Sequence, residues 1–289
     1  MIRRQRELDC CRMPFHNEDS KTATYAVYNQ MTKQAKIIAV ANQKGGVGKT
    51  TSTISIGASL AESGYRVLVV DFDPQGSLTV GLTGAHELPQ TIYDALLGRA
   101  SSRDVLLKTA VPGMDLLPAT IELSAAEMQL VNEVGREQSL ARTLAPLLPD
   151  YDVVLIDCLP SLGLLAINAL AASDSVLIPL QCEYYALRGM ALLSQTIEKV
   201  QERINPRLKV EGIIPTMYDQ RSSHHREVLV RVLEAFGDKC FHTTVPKTIK
   251  FSDATVATEP ITSYAGSSTG AIAYRRLAAE LATRIEVEA

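Results

Sequence analysis

Apolar residues fall into short unbroken blocks along this chain, separated by longer stretches in which they recur every three or four positions. The blocks are KIIAVA (36–41), YRVLVVDFD (65–73), YDVVLIDC (151–158), SVLIPLQ (175–181) and LKVEGIIPTM (208–217). Such a run fits a strand buried on both faces. Helical spacing fills residues 50–63, 121–131, 136–147, 162–172, 184–203, 222–236 and 269–285. Strand and helix alternate, so the expected fold is α/β: a single domain with a mostly parallel, twisted sheet and helices on both faces. No internal repeat stands out, and no Pro/Gly/Ser-rich linker supports two domains. Residues 1–35 are polar, aperiodic and of mixed charge, and are expected to be a disordered leader before a domain spanning 36–289. Met31 opens the compact start MTKQAKIIAVANQKGGVGKTT, so residues 1–30 read as an extension or as a start assigned too early.

Composition narrows the class. The 289 residues are 46% apolar and 21% charged, the balance of an ordinary soluble globular protein. Trp is absent and Phe is scarce, so the core must be Leu, Val, Ile and Ala. No run of about 18 apolar residues is available to cross a membrane. Arg3, Arg4 and Arg6 are followed by no apolar signal segment. The cysteines, Cys10, Cys11, Cys158, Cys182 and Cys240, have no C-x-x-C spacing. Cys158 and Cys182 read as small buried hydrophobes, and the setting as reducing and cytoplasmic. A net charge of −3 argues against a general nucleic-acid coat protein. Yet residues 199–250 carry ten Lys/Arg against six Asp/Glu, which leaves −7 for the rest. That polarity permits a local anion-binding face, with a plain solvated surface as the alternative.

The chemistry begins at ANQKGGVGKTT, Ala41 to Thr51. The plain phosphate-loop pattern G-x-x-x-x-G-K-[ST] needs a glycine where this chain has Gln43, and a second lysine, Lys44, precedes Gly45 and Gly46. A strand, a Gly-rich loop and a helix are what a phosphate site needs. Glycines let the backbone turn its N–H groups inward, and the helix start adds a positive dipole end. Across Lys44, Gly45, Gly46, Val47, Gly48, Lys49, Thr50 and Thr51, Lys49 is expected to reach the β- and γ-phosphates, Thr50 to ligate Mg²⁺ and Thr51 to bond the α-phosphate.

K-G-G-x-G-K-T is the deviant Walker A motif, and here the chain resembles the ParA/MinD family of ATPases. The resemblance implies ATP and Mg²⁺ as ligands, and that Lys44 reaches across a dimer interface to the partner's nucleotide. VVDFDPQGS (69–77) resembles the family's D-x-D-P-Q-G switch, which implies that Asp73 holds the attacking water; Asp71 reads as structural or one step behind. VLIDCLPSLG (154–163) is a Walker B pattern, with Asp157 near Mg²⁺; Leu159 stands where the family often has proline, which bears on the second switch loop. The resemblance further implies an adenine site between Met217–Asp219 and Val245–Lys247, with Met217 and Pro246 flanking the ring. Ordinary packing is the alternative for both.

PLQCEYYALRGM, VPKTIKFSDA and GAIAYRRLAAEL resemble the ParA/Soj chromosome-partitioning branch, and the likeness covers about residues 36–285. It implies a cytoplasmic, nucleoid-associated homodimer that binds double-stranded DNA nonspecifically with ATP and is stimulated by a ParB-like partner. Arg221 and Lys250 match the family's DNA-contacting positions. No base-reading motif appears, so phosphate contacts are expected. The segment before residue 36 leaves no room for a helix-turn-helix domain, so site-specific repression is not expected. A MinD-like membrane ATPase is a rival, but Tyr274, Leu277, Ala278, Leu281 and Ile285 form a stripe suited to packing on the domain itself, and the tail EVEA is acidic. The others are a small-molecule synthetase or reductase on the same fold, and a non-catalytic DNA-binding module.

Overall fold

The five apolar blocks all become strands of one sheet in the computed structural model, which describes residues 35–183 and 186–286, with side chains omitted for 186–189. The leader expected over 1–35 lies outside the described residues, apart from Ala35. The strands are β1 (Lys36–Val40), β2 (Val67–Phe72), β3 (Leu107–Lys108), β4 (Met114–Leu117), β5 (Val153–Cys158), β6 (Ser175–Gln181) and β7 (Lys209–Thr216). Their order is β3-β4-β2-β5-β1-β6-β7, and only the edge pair β3–β4 is antiparallel. The mostly parallel α/β architecture is therefore as expected. β3 and β4 were not legible: β4 is four residues long, with Pro112 and Gly113 before it and Pro118 after it, which reads as loop punctuation.

The helices are α1 (Lys49–Glu62), α2 (Ser77–Thr83), α3 (Ile92–Leu96), α4 (Ala126–Gln129), α5 (Ser139–Leu144), α6 (Leu164–Ala172), α7 (Ala186–Arg203), α8 (Ser223–Phe236), α9 (Lys250–Val256), α10 (Ile261–Tyr264) and α11 (Thr269–Ile285). Two expected helices are broken. Over 121–131 the chain forms 3₁₀ turns on either side of α4, because only Leu123, Ala126 and Leu130 are buried while Ile121, Met128 and Val131 face outward. Over 136–147 only α5 is α-helical, and the helix stops just before Pro146.

The two-residue period of the strands divides the core. Ile37, Ala39, Leu68, Val70, Phe72, Val154 and Ile156 pack on one face, Ile38, Val40, Val67, Val69, Val153 and Leu155 on the other. The second face also receives α1 and α11. Tyr274, Leu277, Ala278, Leu281 and Ile285 are all buried there, and Tyr274 Oη lies 3.0 Å from Ser52 Oγ in α1. The apolar stripe of α11 is thus core. Among the described residues no helix is long and apolar enough to cross a membrane.

β7 matters because its C-terminal end enters the functional site. Near its start, Gly212 lies against the ring of buried Phe241: a Cβ there would sit 2.4 Å from Cε2 and 2.9 Å from the carbonyl oxygen of Lys239. The ring is itself covered by the Arg284 guanidinium, 4.1 Å from its centroid. Gly212→Ala should therefore destabilise the protein by about 1–3 kcal/mol through overpacking. Urea unfolding checks this, and a midpoint equal to wild type would show that the loop carrying Phe241 yields.

Candidate nucleotide site

β1 ends at the centre of the sheet, between β5 and β6, and strand connections diverge to either side of it. A crevice at the C-terminal ends of such strands is where α/β folds bind ligands. The Gly-rich loop fills that position. Gly46 and Gly48 have φ of 72° and 89°, a region glycine enters without a side-chain clash. Gly48 caps α1 with no side-chain hydrogen bond, and no acidic residue stands in the first turn. A Cβ added at Gly45 or Gly46 would meet nothing within 4 Å. The loop is braced from behind: Asn42 Nδ2 donates to the Pro179 carbonyl at 2.8 Å, Lys44 N donates to Asn42 Oδ1 at 2.9 Å, and Thr216 Oγ1 donates to the Val47 carbonyl at 2.8 Å. Open space, inward-facing amides and a bare helix start form a cradle suited to phosphates.

The strand period puts Asp71 and Asp157 on the α1 face, and the register of β2 with β5 sets them directly opposite each other. Both are fully buried. Asp71 accepts from Thr79 N at 2.8 Å and Thr79 Oγ1 at 2.7 Å. Asp157 accepts from Thr50 Oγ1 at 2.7 Å and Thr53 Oγ1 at 3.4 Å. Burial raises the Asp71 carboxyl to about 7. Burial, and then the neighbouring Asp71, raise Asp157 to about 8. Lys49, also buried, is pushed below the usual lysine value by desolvation, which the nearby Asp157 partly opposes. Asp73, one residue beyond β2, is half-buried and accepts from Gln75 N at 2.9 Å. The Thr50 hydroxyl and a carboxylate beside an ammonium-bearing phosphate cradle are the oxygen donors a Mg²⁺–phosphate site uses.

Thr51, Met217 and Pro246 line one cleft of about 270 Å³, together with Gly48, Thr216 and Lys247. Phe251 and Tyr274 form its apolar wall and meet edge to face, 5.7 Å between centroids. Met217 has φ of 52°, uncommon for a non-glycine residue. Tyr218 N then donates to the Val245 carbonyl at 2.9 Å, tying the two loops together. An apolar slot reached over the end of the phosphate loop can hold a planar base. Sequence reasoning missed Thr216, Phe251 and Tyr274; only the ligand-facing strand end could have signalled Thr216.

The two lysines part company. Lys49 is buried, its Nζ near the Lys44 carbonyl at 3.5 Å. The Lys44 side chain is 42% exposed, and its Nζ bonds Glu183 Oε2 at 2.7 Å and Gln181 Oε1 at 3.0 Å. Arg221, 92% exposed, pairs with Asp219 at 3.2 Å and lines a separate groove of about 820 Å³ with Lys247, His242 and Arg276. Lys250 opens α9 and is exposed, but it does not line that groove.

A carboxyl with a raised pKa holds its proton more tightly folded than unfolded. Without nucleotide, stability should therefore be greatest toward the ordinary value of 3.8 and be lost as pH rises through about 7 and 8. Asp157→Asn, isosteric and neutral, should reduce the fall in unfolding free energy between about pH 5 and pH 8 by on the order of 2 kcal/mol. Urea titrations of both proteins at each pH test this; parallel pH profiles would refute proton retention by the pair.

Comparison with known proteins agrees with this geometry. A family model described as an AAA domain matches residues 35–210. An uncharacterised protein of Mycobacterium tuberculosis is 57% identical over 86% of this chain and 79% of its own length. The chromosome-partitioning ATPase Soj of Treponema pallidum is 48% identical over 86% of this chain and 98% of its own. Among solved structures, cobyrinic acid a,c-diamide synthase from Mycobacterium smegmatis, with bound ADP and magnesium, is 44% identical and superposes with a TM-score of 0.78 over 87% of this chain and 96% of that one. With its phosphate cradle, paired strand-end carboxylates and these relatives, the chain belongs to the ParA/Soj family of P-loop ATPases.

Proposed function

We propose that this chain is a partition-type ATPase that binds ATP with Mg²⁺, closes into a nucleotide-sandwich dimer, and in that form holds double-stranded DNA without sequence preference. A ParB-like partner then stimulates hydrolysis, which releases the DNA, in a cytoplasmic, nucleoid-associated setting. The observation that carries this reading is the division between the two lysines. Lys49 is buried in its own cradle, whereas Lys44 stands at the rim with its ammonium outside it. A lysine so placed can serve a phosphate on a second copy.

In this reading the Lys49 ammonium and the loop amides hold the phosphates. Thr50 and Asp157 hold Mg²⁺, Asp157 through water, and the ion neutralises phosphate charge. Thr51 bonds the α-phosphate, and Met217 and Pro246 flank the base. Asp73 orients the attacking water. Phosphoryl transfer needs positioning and charge stabilisation more than a strong base. Arg221 and Lys250 supply cations to the DNA backbone, with Lys247 and Arg276 beside Arg221 in its groove.

A second reading, a small-molecule amide synthetase, is favoured by the Mycobacterium smegmatis neighbour. Release of ammonia from glutamine would need a reactive thiolate. Among the described residues the cysteines are Cys158, Cys182 and Cys240, all buried, with their thiols pushed up by desolvation. That favours the partition reading.

Asp73→Ala should bind ATP normally and hydrolyse it about 100-fold more slowly, as expected for loss of a group acting in the transition state. Steady-state turnover beside nucleotide affinity checks this, and turnover within about twofold of wild type rejects the role. For DNA, one lost phosphate contact per subunit is two per dimer, so the salt slope should fall by roughly 1.8 in Arg221→Ala or Lys250→Ala. Affinity would be measured across a salt series with ATP in the Asp73→Ala background. Unchanged slopes in both variants move the DNA face elsewhere, and no DNA binding with ATP removes the partition reading in favour of the synthetase.

A further inference from the structure

Lys44 is not simply solvated at the rim of the site. Its ammonium is gripped by two residues at the C-terminal end of β6: Glu183 Oε2 at 2.7 Å and Gln181 Oε1 at 3.0 Å. The grip is itself organised, because Gln181 Nε2 donates to Glu183 Oε1, which orients both acceptors toward the lysine. The attraction is mutual: the Lys44 hydrogen bond holds the Glu183 carboxyl below its ordinary value, so it stays ionised. The backbone of Lys44 is fixed separately by Asn42, so only the long side chain is left to move.

We propose that Glu183, oriented by Gln181, is a positioning residue that latches Lys44 in the free subunit and must release it before the lysine can reach the nucleotide of a second copy. The proposal rests on the sandwich-dimer reading of Lys44. The strength of the latch fits that task. Both side chains are close to half exposed, at 42% and 47%, so the pair is screened and weak. A triphosphate with several negative charges outcompetes one exposed carboxylate. A single monoanionic ligand does not. The latch thus raises the threshold for closing without preventing it, and it discourages dimers around a partly filled site.

Two latches open for each dimer formed. Their removal should tighten ATP-dependent dimerisation on the order of fivefold. The test uses the full chain in the Asp73→Ala background, to exclude turnover, with Glu183→Gln, Glu183→Asp and Lys44→Ala added singly. Dimerisation is followed by light scattering against ATP concentration, and nucleotide affinity of the monomer is measured in parallel. The expected result is a lower ATP midpoint for dimerisation in Glu183→Gln, unchanged monomer affinity for ATP, a midpoint near wild type in Glu183→Asp, and no dimer in Lys44→Ala. A purely structural role for Glu183 would not move the dimer midpoint while sparing nucleotide affinity. If the parent dimerises but Glu183→Gln leaves the midpoint unchanged or raises it, the latch is wrong and the sandwich reading stands. If the parent stays monomeric with ATP, or Lys44→Ala dimerises as well as the parent, the sandwich reading fails and the latch falls with it.

Discussion

Two carboxylates face each other across neighbouring strands at the buried end of the sheet, and the rest of the site is organised by the difficulty of keeping them there. Asp71 and Asp157 are partners in the register of β2 with β5, and neither meets solvent. Two buried like charges on adjacent strands are unfavourable unless protonated, hydrogen-bonded or balanced by cations. The structure applies all three remedies. The pKa of each is raised, each accepts from a threonine hydroxyl, and Lys49 lies close enough to act on Asp157. A divalent cation and a polyphosphate would complete that balance, so the free protein carries an electrostatic demand that its ligands satisfy.

That demand explains how the phosphate cradle is joined to the switch segments. Thr79 bonds Asp71 and also accepts from Ala119 N at 3.0 Å, so the segment after β4 is tied to the same carboxylate. Further along that segment Glu127 Oε1 accepts from Leu165 N at the start of α6, the helix that follows the Walker B loop. The two segments flanking the phosphates are therefore linked to one another through the core. A change in charge at Asp157 or Asp71 has a continuous route to both.

The two lysines differ by environment, not by chemistry. Lys49 opens α1 from inside the fold and is held among buried acids. Lys44 precedes the glycines, where the chain is outside the sheet, and finds exposed partners instead. Desolvation commits the first to its own site; weak, screened contacts leave the second free to exchange partners.

The strands that carry the site were legible because they are long, apolar and buried on both faces, and the loop because its glycines and lysines have a fixed spacing. The alternation of VVDFD and VLIDC placed Asp71, Asp73 and Asp157 at strand ends without any coordinates. Sequence also determined the fate of α11, whose apolar stripe had to be buried. It could not show β4 between its prolines and glycine, nor the breaks over 121–131, since short elements depend on neighbours distant in the chain. Nor could it show that Asp71 and Asp157 are register partners, that Met217 and Pro246 meet across one cleft, or that Glu183 holds Lys44. These are pairings over 86, 29 and 139 positions. Local patterns encode what a residue would bury or bind, and only the closed sheet decides which distant residue it meets.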